Sequence, residues 1–328
     1  MVQNLTIKNF KSIKDLNISC KKLNVFIGEP NSGKSNIIEA LSLLSQNAFG
    51  QELNKEMFRY KSIGDLFFDF AINNPIKIGM NDRISVLKYS VRTDGIIENQ
   101  FDFKLDSKVH DDKTIKISHD GKVSVNNLTG STNVRLYEYK RLPAFISSYY
   151  SHLAVPHGEN LPNLLLANSE LKKWVSEFVN DKGLKLTLKP TENDINFSKI
   201  IDEEIYSYPY FSISETLQRV IFYTVAIKSN SNAVLLLDEP ESNTFPFYTK
   251  ELAERIALDE TNQFFVTTHN PYLLLSLIEK SKEENISIFI TQMKNFRTIV
   301  NELTAEQISE VLDLNSDVFF NFDKILSL

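Results

Sequence analysis

The spacing of apolar residues changes several times along this chain of 328 residues, and each change predicts a different kind of element. Near the start, residues 2–7 and 23–27 carry apolar positions that alternate or run together between charged and turn residues, which predicts two strands. From about 33 to 46, Ile37, Ile38, Leu41 and Leu44 fall on one face at helical spacing. From 83 to 125 the period drops to two: RISVLKYSV and IIENQFDFKL flank Asp94-Gly95, and KTIKIS and KVSV flank Asp120-Gly121. Asp-Gly between alternating runs signals a hairpin, so an antiparallel sheet is expected here. Residues 140–210 are mixed, helical in period at 161–178 and loop-like in VPHGENLP and KPTENDINF. In the last third a helix is expected from 212 to about 228, then the buried strand AVLLLDEP and a helix at 248–258. The strand QFFVTTHNP, a helix at 272–280 and the strands ISIFIT and FRTIVNEL follow. Short apolar strands alternating with helices predict a parallel sheet covered on both faces. No repeat, low-complexity tract or sustained heptad pattern interrupts this order.

Composition narrows the class. A chain with 42% hydrophobic and 24% charged residues is ordinary for a globular α/β protein. Its net charge of −6 argues against nonspecific nucleic-acid binding by the whole surface. A local exception is the first segment, where Lys8, Lys11, Lys14, Lys21, Lys22 and Lys34 face only Asp15 and Glu29. Cys20 is the single cysteine, which rules out an internal disulfide, and the five histidines show no metal-ligand spacing. The start lacks the apolar run of a signal peptide and no apolar stretch reaches membrane-spanning length. A cytoplasmic protein without a membrane partner is the expectation.

The chemistry begins with FIGEPNSGKSNIIEAL. Gly28-x-x-x-x-Gly33-Lys34-Ser35, between a strand and a helix, is a complete Walker A loop. Its amides and the helix N-terminus point at a phosphate, Lys34 reaches the β and γ oxygens, and Ser35 holds Mg²⁺. The residues expected around the phosphates are Gly28, Glu29, Pro30, Asn31, Ser32, Gly33, Lys34, Ser35 and Asn36. The apolar run ending in Asp238-Glu239-Pro240 supplies a Walker B layout, Asp238 facing the metal and Glu239 polarising the attacking water. His269, at the end of FVTTHNP, is expected at the sheet's carboxyl edge, able to fix that water. In FSISETLQRVIFY, Ser212 with Glu215 fits a capping box that opens a helix with Ser214 in its first turn. Locally, this is no more than a well-capped helix.

The order of these motifs resembles the ABC-class ATPase heads of the RecF, SMC and OLD branch. LTIKNFKSIKDLNI and GEPNSGKSNIIEAL look like the opening of that branch, and DEPESNTFP and THNPYLL look like its closing motifs. Among these, the chain is similar to compact bacterial AAA-family ATPases often found in phage-defence systems. The resemblance implies a P-loop NTPase fold with a mixed core sheet, an antiparallel β-subdomain and a helical insert. It divides a single ATPase domain into lobe I (1–140), the insert (141–211) and lobe II (212–328). It also implies ATP and Mg²⁺ as cofactors, Glu239 and His269 as catalytic residues, and Ser35 and Asp238 at the metal. Ser214 becomes the signature serine that completes the site of a facing protomer. The signature glycines of better-known members are missing from SISETLQ, which implies slow or partner-dependent hydrolysis.

Three functions follow from that likeness. The leading one is an ATP-driven switch: a homodimer, or a larger even-numbered assembly, closes around ATP and controls a separately encoded effector such as a nuclease or toxin. The second is a RecF-like DNA-binding ATPase, supported by the lysine-rich first segment. The third, the nucleotide-binding subunit of a membrane transporter, shares the fold but not the signature glycines.

Overall fold

The computed structural model describes residues 1–92, 98–104, 114–124, 133–148 and 150–327. The chain opens with the hairpin β1 (Asn4–Phe10) and β2 (Ile13–Ser19), then the buried strand β3 (Leu23–Gly28) running into helix α1 (Lys34–Ser42). An antiparallel set follows: β4 (Ile76–Met80), β5 (Arg83–Arg92), β6 (Glu98–Lys104) and β7 (Thr114–Ser118). Strand β8 (Val134–Tyr137) leads to α2 (Leu161–Ala167), α3 (Ser169–Asn180) and the strands β9 (Lys185–Lys189), β10 (Asp194–Ile201) and β11 (Glu204–Pro209). The last third alternates as α4 (Glu215–Lys228), β12 (Val234–Asp238), α5 (Pro246–Leu258), β13 (Gln263–Thr267) and α6 (Pro271–Lys280). It closes with β14 (Ile286–Lys294), β15 (Arg297–Glu302), α7 (Ala305–Leu314) and α8 (Phe322–Leu326).

Three sheets form among the described residues: β2-β1-β4-β5-β6-β7, β11-β10-β9 and the central β15-β14-β3-β13-β12-β8. In the central sheet β14, β3, β13, β12 and β8 are parallel, and only β15 runs against them. The strands are apolar on both faces, and the pleat deals successive residues to two cores. Phe26, Leu236, Phe265 and Phe289 join α1 and the antiparallel sheet in one core. Val25, Ile27, Leu235, Leu237, Val266 and Ile288 join the core that also holds Ile221 of α4, Ala253 of α5 and Leu273 of α6. Phe26 stacks against Phe289 at 5.0 Å between centroids and against Phe265 at 6.4 Å. Two-sided burial is what a parallel sheet requires, and it puts the carboxyl ends of β3, β12 and β13 along one edge.

The expected antiparallel sheet is present. At Asp120-Gly121 the chain turns tightly, with Ser118 N–H bonding Lys122 O at 2.9 Å and Gly121 at φ +95°. The hairpin expected at Asp94-Gly95 lies outside the described residues, although β5 and β6 pair antiparallel beside it.

Several boundaries differ from expectation. Helix α1 stops at Ser42 because Leu43, Leu44 and Ser45 tighten into i→i+3 bonds, which lets Leu43 and Leu44 both bury. The periodic stretch 161–178 is two helices broken at Asn168, whose Oδ1 accepts from the N–H groups of Glu170 and Leu171 at 3.1 and 3.0 Å. The segment expected as a helical insert also carries the β9–β11 sheet. Its turns use Asn193 and Asp202-Glu203 at positive φ rather than glycine, so the usual turn signal is missing. Ser212 and Glu215 form no capping box. Ser212 donates instead to Pro209 O at 2.8 Å, Glu215 pairs with Arg219 at 2.9 Å, and Ser214 is the N-cap of α4.

No helix among the described residues is long and apolar enough to cross a membrane.

Candidate functional site

The loop between β3 and α1 wraps one end of a cleft of about 340 Å³, and Pro30, Asn31, Ser32, Gly33, Lys34, Ser35 and Asn36 line it. Gly33 stands at φ +99°, a left-handed turn that aims the first amides of α1 into the cleft. The Lys34 ammonium folds back over the loop and donates to Gly28 O (2.9 Å) and Glu29 O (2.8 Å). Burial pushes Lys34 down to about 8, against the opposing pull of Glu239 and Asp238.

Walker B faces this loop. Asp238 ends β12, where the hydroxyls of Thr267 and Ser35 hydrogen-bond its carboxyl. Burial pushes the pKa of its carboxyl above the ordinary carboxylate value. Ser35 and Asp238 are hard oxygen donors held in contact, the donor type that magnesium takes with water and phosphate oxygens in the remaining positions. Glu239 turns out of the strand at φ +44°, and its N–H donates to Thr267 Oγ1 at 3.0 Å. That turn carries its carboxylate to His269, whose Nε2 lies 3.0 Å from Glu239 Oε1. The His269 contact outweighs burial and holds Glu239 below its ordinary value. Both side chains line the same cleft as Lys34.

The structure therefore brings together Walker A, Asp238, Glu239 and His269. Ser214 lies elsewhere, exposed at the start of α4, with no side-chain cap on the helix amides.

Residues that sequence reasoning passed over also belong here. Arg59 lines the cleft, where Glu39 orients it (Nε to Oε1, 2.6 Å) and is itself also held by Lys11. A lone arginine in an irregular stretch carries no spacing signal. Thr267 and Thr268, adjacent in sequence, reach opposite partners: Thr267 bonds Asp238, while Thr268 donates to Glu241 Oε1 and accepts from Asn270 N–H at 2.9 Å. Glu241 is buried, its Oε2 finds no partner, and burial pushes its carboxyl up to about 7. The folded state thus holds a proton on Glu241 that the unfolded chain releases near 4.5. Stability from this group is present below that value and lost as pH rises through about 7. Glu241→Gln should flatten the pH dependence of Tm across this window, an effect of up to about 3 kcal/mol, read by thermal denaturation in a buffer series. An unchanged slope would remove Glu241 as its source.

The lysine-rich first segment is largely engaged within the protein. Lys8 pairs with Asp15 at 3.3 Å and Lys11 with Glu39, Lys21 and Lys22 donate to backbone carbonyls, and Lys34 belongs to the loop.

Comparison with known proteins bears on the fold and the family. Over 94% of this chain and 99% of that chain, the fold is similar to a crystal structure of the SmcHead bound to the C-winged helix domain of ScpA, at TM-score 0.54 and 17% identity. A Pyrococcus yayanosii Smc head domain with a coiled coil and joint matches over 95% of this chain and 99% of that one, at TM-score 0.51 and 11% identity. A Pyrococcus furiosus Smc head domain with an extended coiled coil, bound to the C-terminal domain of ScpA, matches over 95% and 98%, at TM-score 0.50 and 15% identity. At such identities the likeness shows the fold alone, that of a P-loop NTPase. No curated protein is a significant match. A family model described as "AAA domain, putative AbiEii toxin, Type IV TA system" matches residues 23–276. That span runs from the strand before the phosphate loop to the helix after His269, and the chain belongs to this AAA-domain ATPase family.

Proposed function

We propose that this protein binds and hydrolyses ATP, and that two copies close head-to-tail around the nucleotides to switch a partner protein. The observation that carries the reading is the Glu239–His269 pair at 3.0 Å in the same cleft as Lys34 and the phosphate loop. In this reading the loop amides and Lys34 hold the β and γ phosphates. Glu239, ionised and aimed by His269, accepts the proton of the attacking water. His269 keeps that water in line. Magnesium, held by Ser35 and Asp238, would neutralise charge developing on the phosphate oxygens.

Closure into a dimer is supported by the exposed start of α4 at Ser214, which has amides and a positive dipole end to offer a γ-phosphate across an interface. Large apolar side chains also stand exposed beside the catalytic strand ends: Phe245 (65%), Phe247 (58%) and Tyr272 (45%). A separately encoded effector, in antiviral defence, fits the toxin–antitoxin description of the family. The solved Smc heads bound to ScpA illustrate a head of this fold engaging a second protein. A RecF-like reading would need free lysines in the first segment, and most of them already have partners.

Calorimetry with Mg-ATP tests the reading. The parent should bind with a Kd in the micromolar range, and Lys34→Ala should lose most of that affinity. The triphosphate requires a charged Lys34, so affinity should hold below pH 8 and decline above it as the ammonium deprotonates. No binding heat from the parent, or equal affinity in the variant, would refute it.

A further inference from the structure

Sheet order sets what stands on each side of the phosphate loop. Strand β3, which feeds the phosphate loop, has β13 and then β12 on one side and β14 and then β15 on the other. Asp238, Glu239 and His269 all stand on the β12–β13 side. With the γ end of a triphosphate at Glu239, the β14–β15 hairpin lies on the far side of the phosphate loop, the side open to the nucleoside. That hairpin is pressed against the loop: Thr291 Oγ1 bonds Ser32 Oγ at 2.7 Å, and Thr298 Oγ1 bonds Ser12 Oγ at 2.7 Å. Met293 is two residues beyond Thr291 and directly across from Thr298, hence on the same face, and it lines the cleft.

The turn that follows, like the Asp202-Glu203 turn, stands at positive φ without a glycine. Asn295 and Phe296 join the two strands in a two-residue loop with φ +50° and +60°, a geometry that favours Asn-Gly. Phenylalanine at the glycine position is strained, and this one is 89% exposed. Phe296 stands at the tip of the same hairpin whose Met293 lines the cleft, with its ring in water.

We propose that the β14–β15 hairpin is the base platform of the nucleotide site, Met293 contacting the face of a purine and Phe296 covering its outer edge. This rests on the nucleotide reading above. Both side chains offer apolar, polarisable contact without hydrogen bonds, so the platform reads the area of the base rather than its edge. Purine nucleotides are favoured over pyrimidine nucleotides on that ground.

Calorimetry with ATP, CTP and inorganic tripolyphosphate, each with magnesium, tests the assignment in the parent, Met293→Ala and Phe296→Gly. Phe296→Gly relieves the turn and should fold at least as well as the parent. The expected result is ATP binding weakened about tenfold in each variant, a narrower gap between ATP and CTP, and unchanged tripolyphosphate affinity. Unchanged ATP affinity in both variants, or equal losses for ATP and tripolyphosphate, would overturn the platform and leave the nucleotide reading standing. A parent that binds none of the three would overturn both.

Discussion

Glu239→Gln is expected to stop ATP turnover while leaving nucleotide binding close to that of the parent. The substitution keeps the volume and the acceptor oxygen facing His269 Nε2 at 3.0 Å, so the turn at φ +44° has no reason to move. What disappears is the capacity to take a proton from water. General-base catalysis is worth about 10²–10⁴ in rate, and phosphate release should fall by that factor. Because the ground state still holds ATP, the closed assembly should accumulate, and mass measurement with ATP should show a dimer or larger even-numbered species. Turnover at the parent rate would remove Glu239 from the mechanism. Loss of turnover without an ATP-dependent assembly would leave hydrolysis and sink the sandwich.

Gly28→Ala is expected to cost folding itself. Gly28 has φ +150°, and a Cβ there would lie 2.2 Å from Thr291 O and 2.5 Å from Thr291 Oγ1. The nearer atom is backbone of a central strand, which cannot swing aside as a long side chain would. Strained backbone and forced overpacking each cost about 1–3 kcal/mol, a large part of a typical domain's stability of about 5–15 kcal/mol. Chemical denaturation should show a loss of about 3 kcal/mol or more, with nucleotide binding lost in whatever fraction still folds. A midpoint equal to that of the parent would mean that the loop does not sit against β14 as described.

These two predictions differ in how far they could be read from residues alone. Glu239 was legible because an apolar run ending in two acids is a local pattern, and so is the spacing of Gly28, Gly33, Lys34 and Ser35. His269 at a strand end was legible for the same reason. The clash partner Thr291 was not, since it lies more than 250 residues from Gly28 and is brought there only by the parallel pairing of β3 with β14. Arg59, Glu241 and Met293 were missed likewise: each is placed by distant segments that no spacing rule connects to it. The expected capping box at Ser212 shows the converse, a correct local signature outcompeted by Arg219 one turn along α4, which takes the Glu215 carboxylate.

What the residues alone determined, then, was the kind of chemistry: alternating and helical periods define strands and helices, and a phosphate loop needs only a few adjacent residues in the right order. What tertiary structure decided was the surroundings: which strand flanks the loop, which carboxyl is buried and holds its proton, which distant side chains line the cleft. Periodicity is a property of neighbouring backbone units. Burial and sheet order arise from contacts between distant segments, whose balance is struck only when the two cores close.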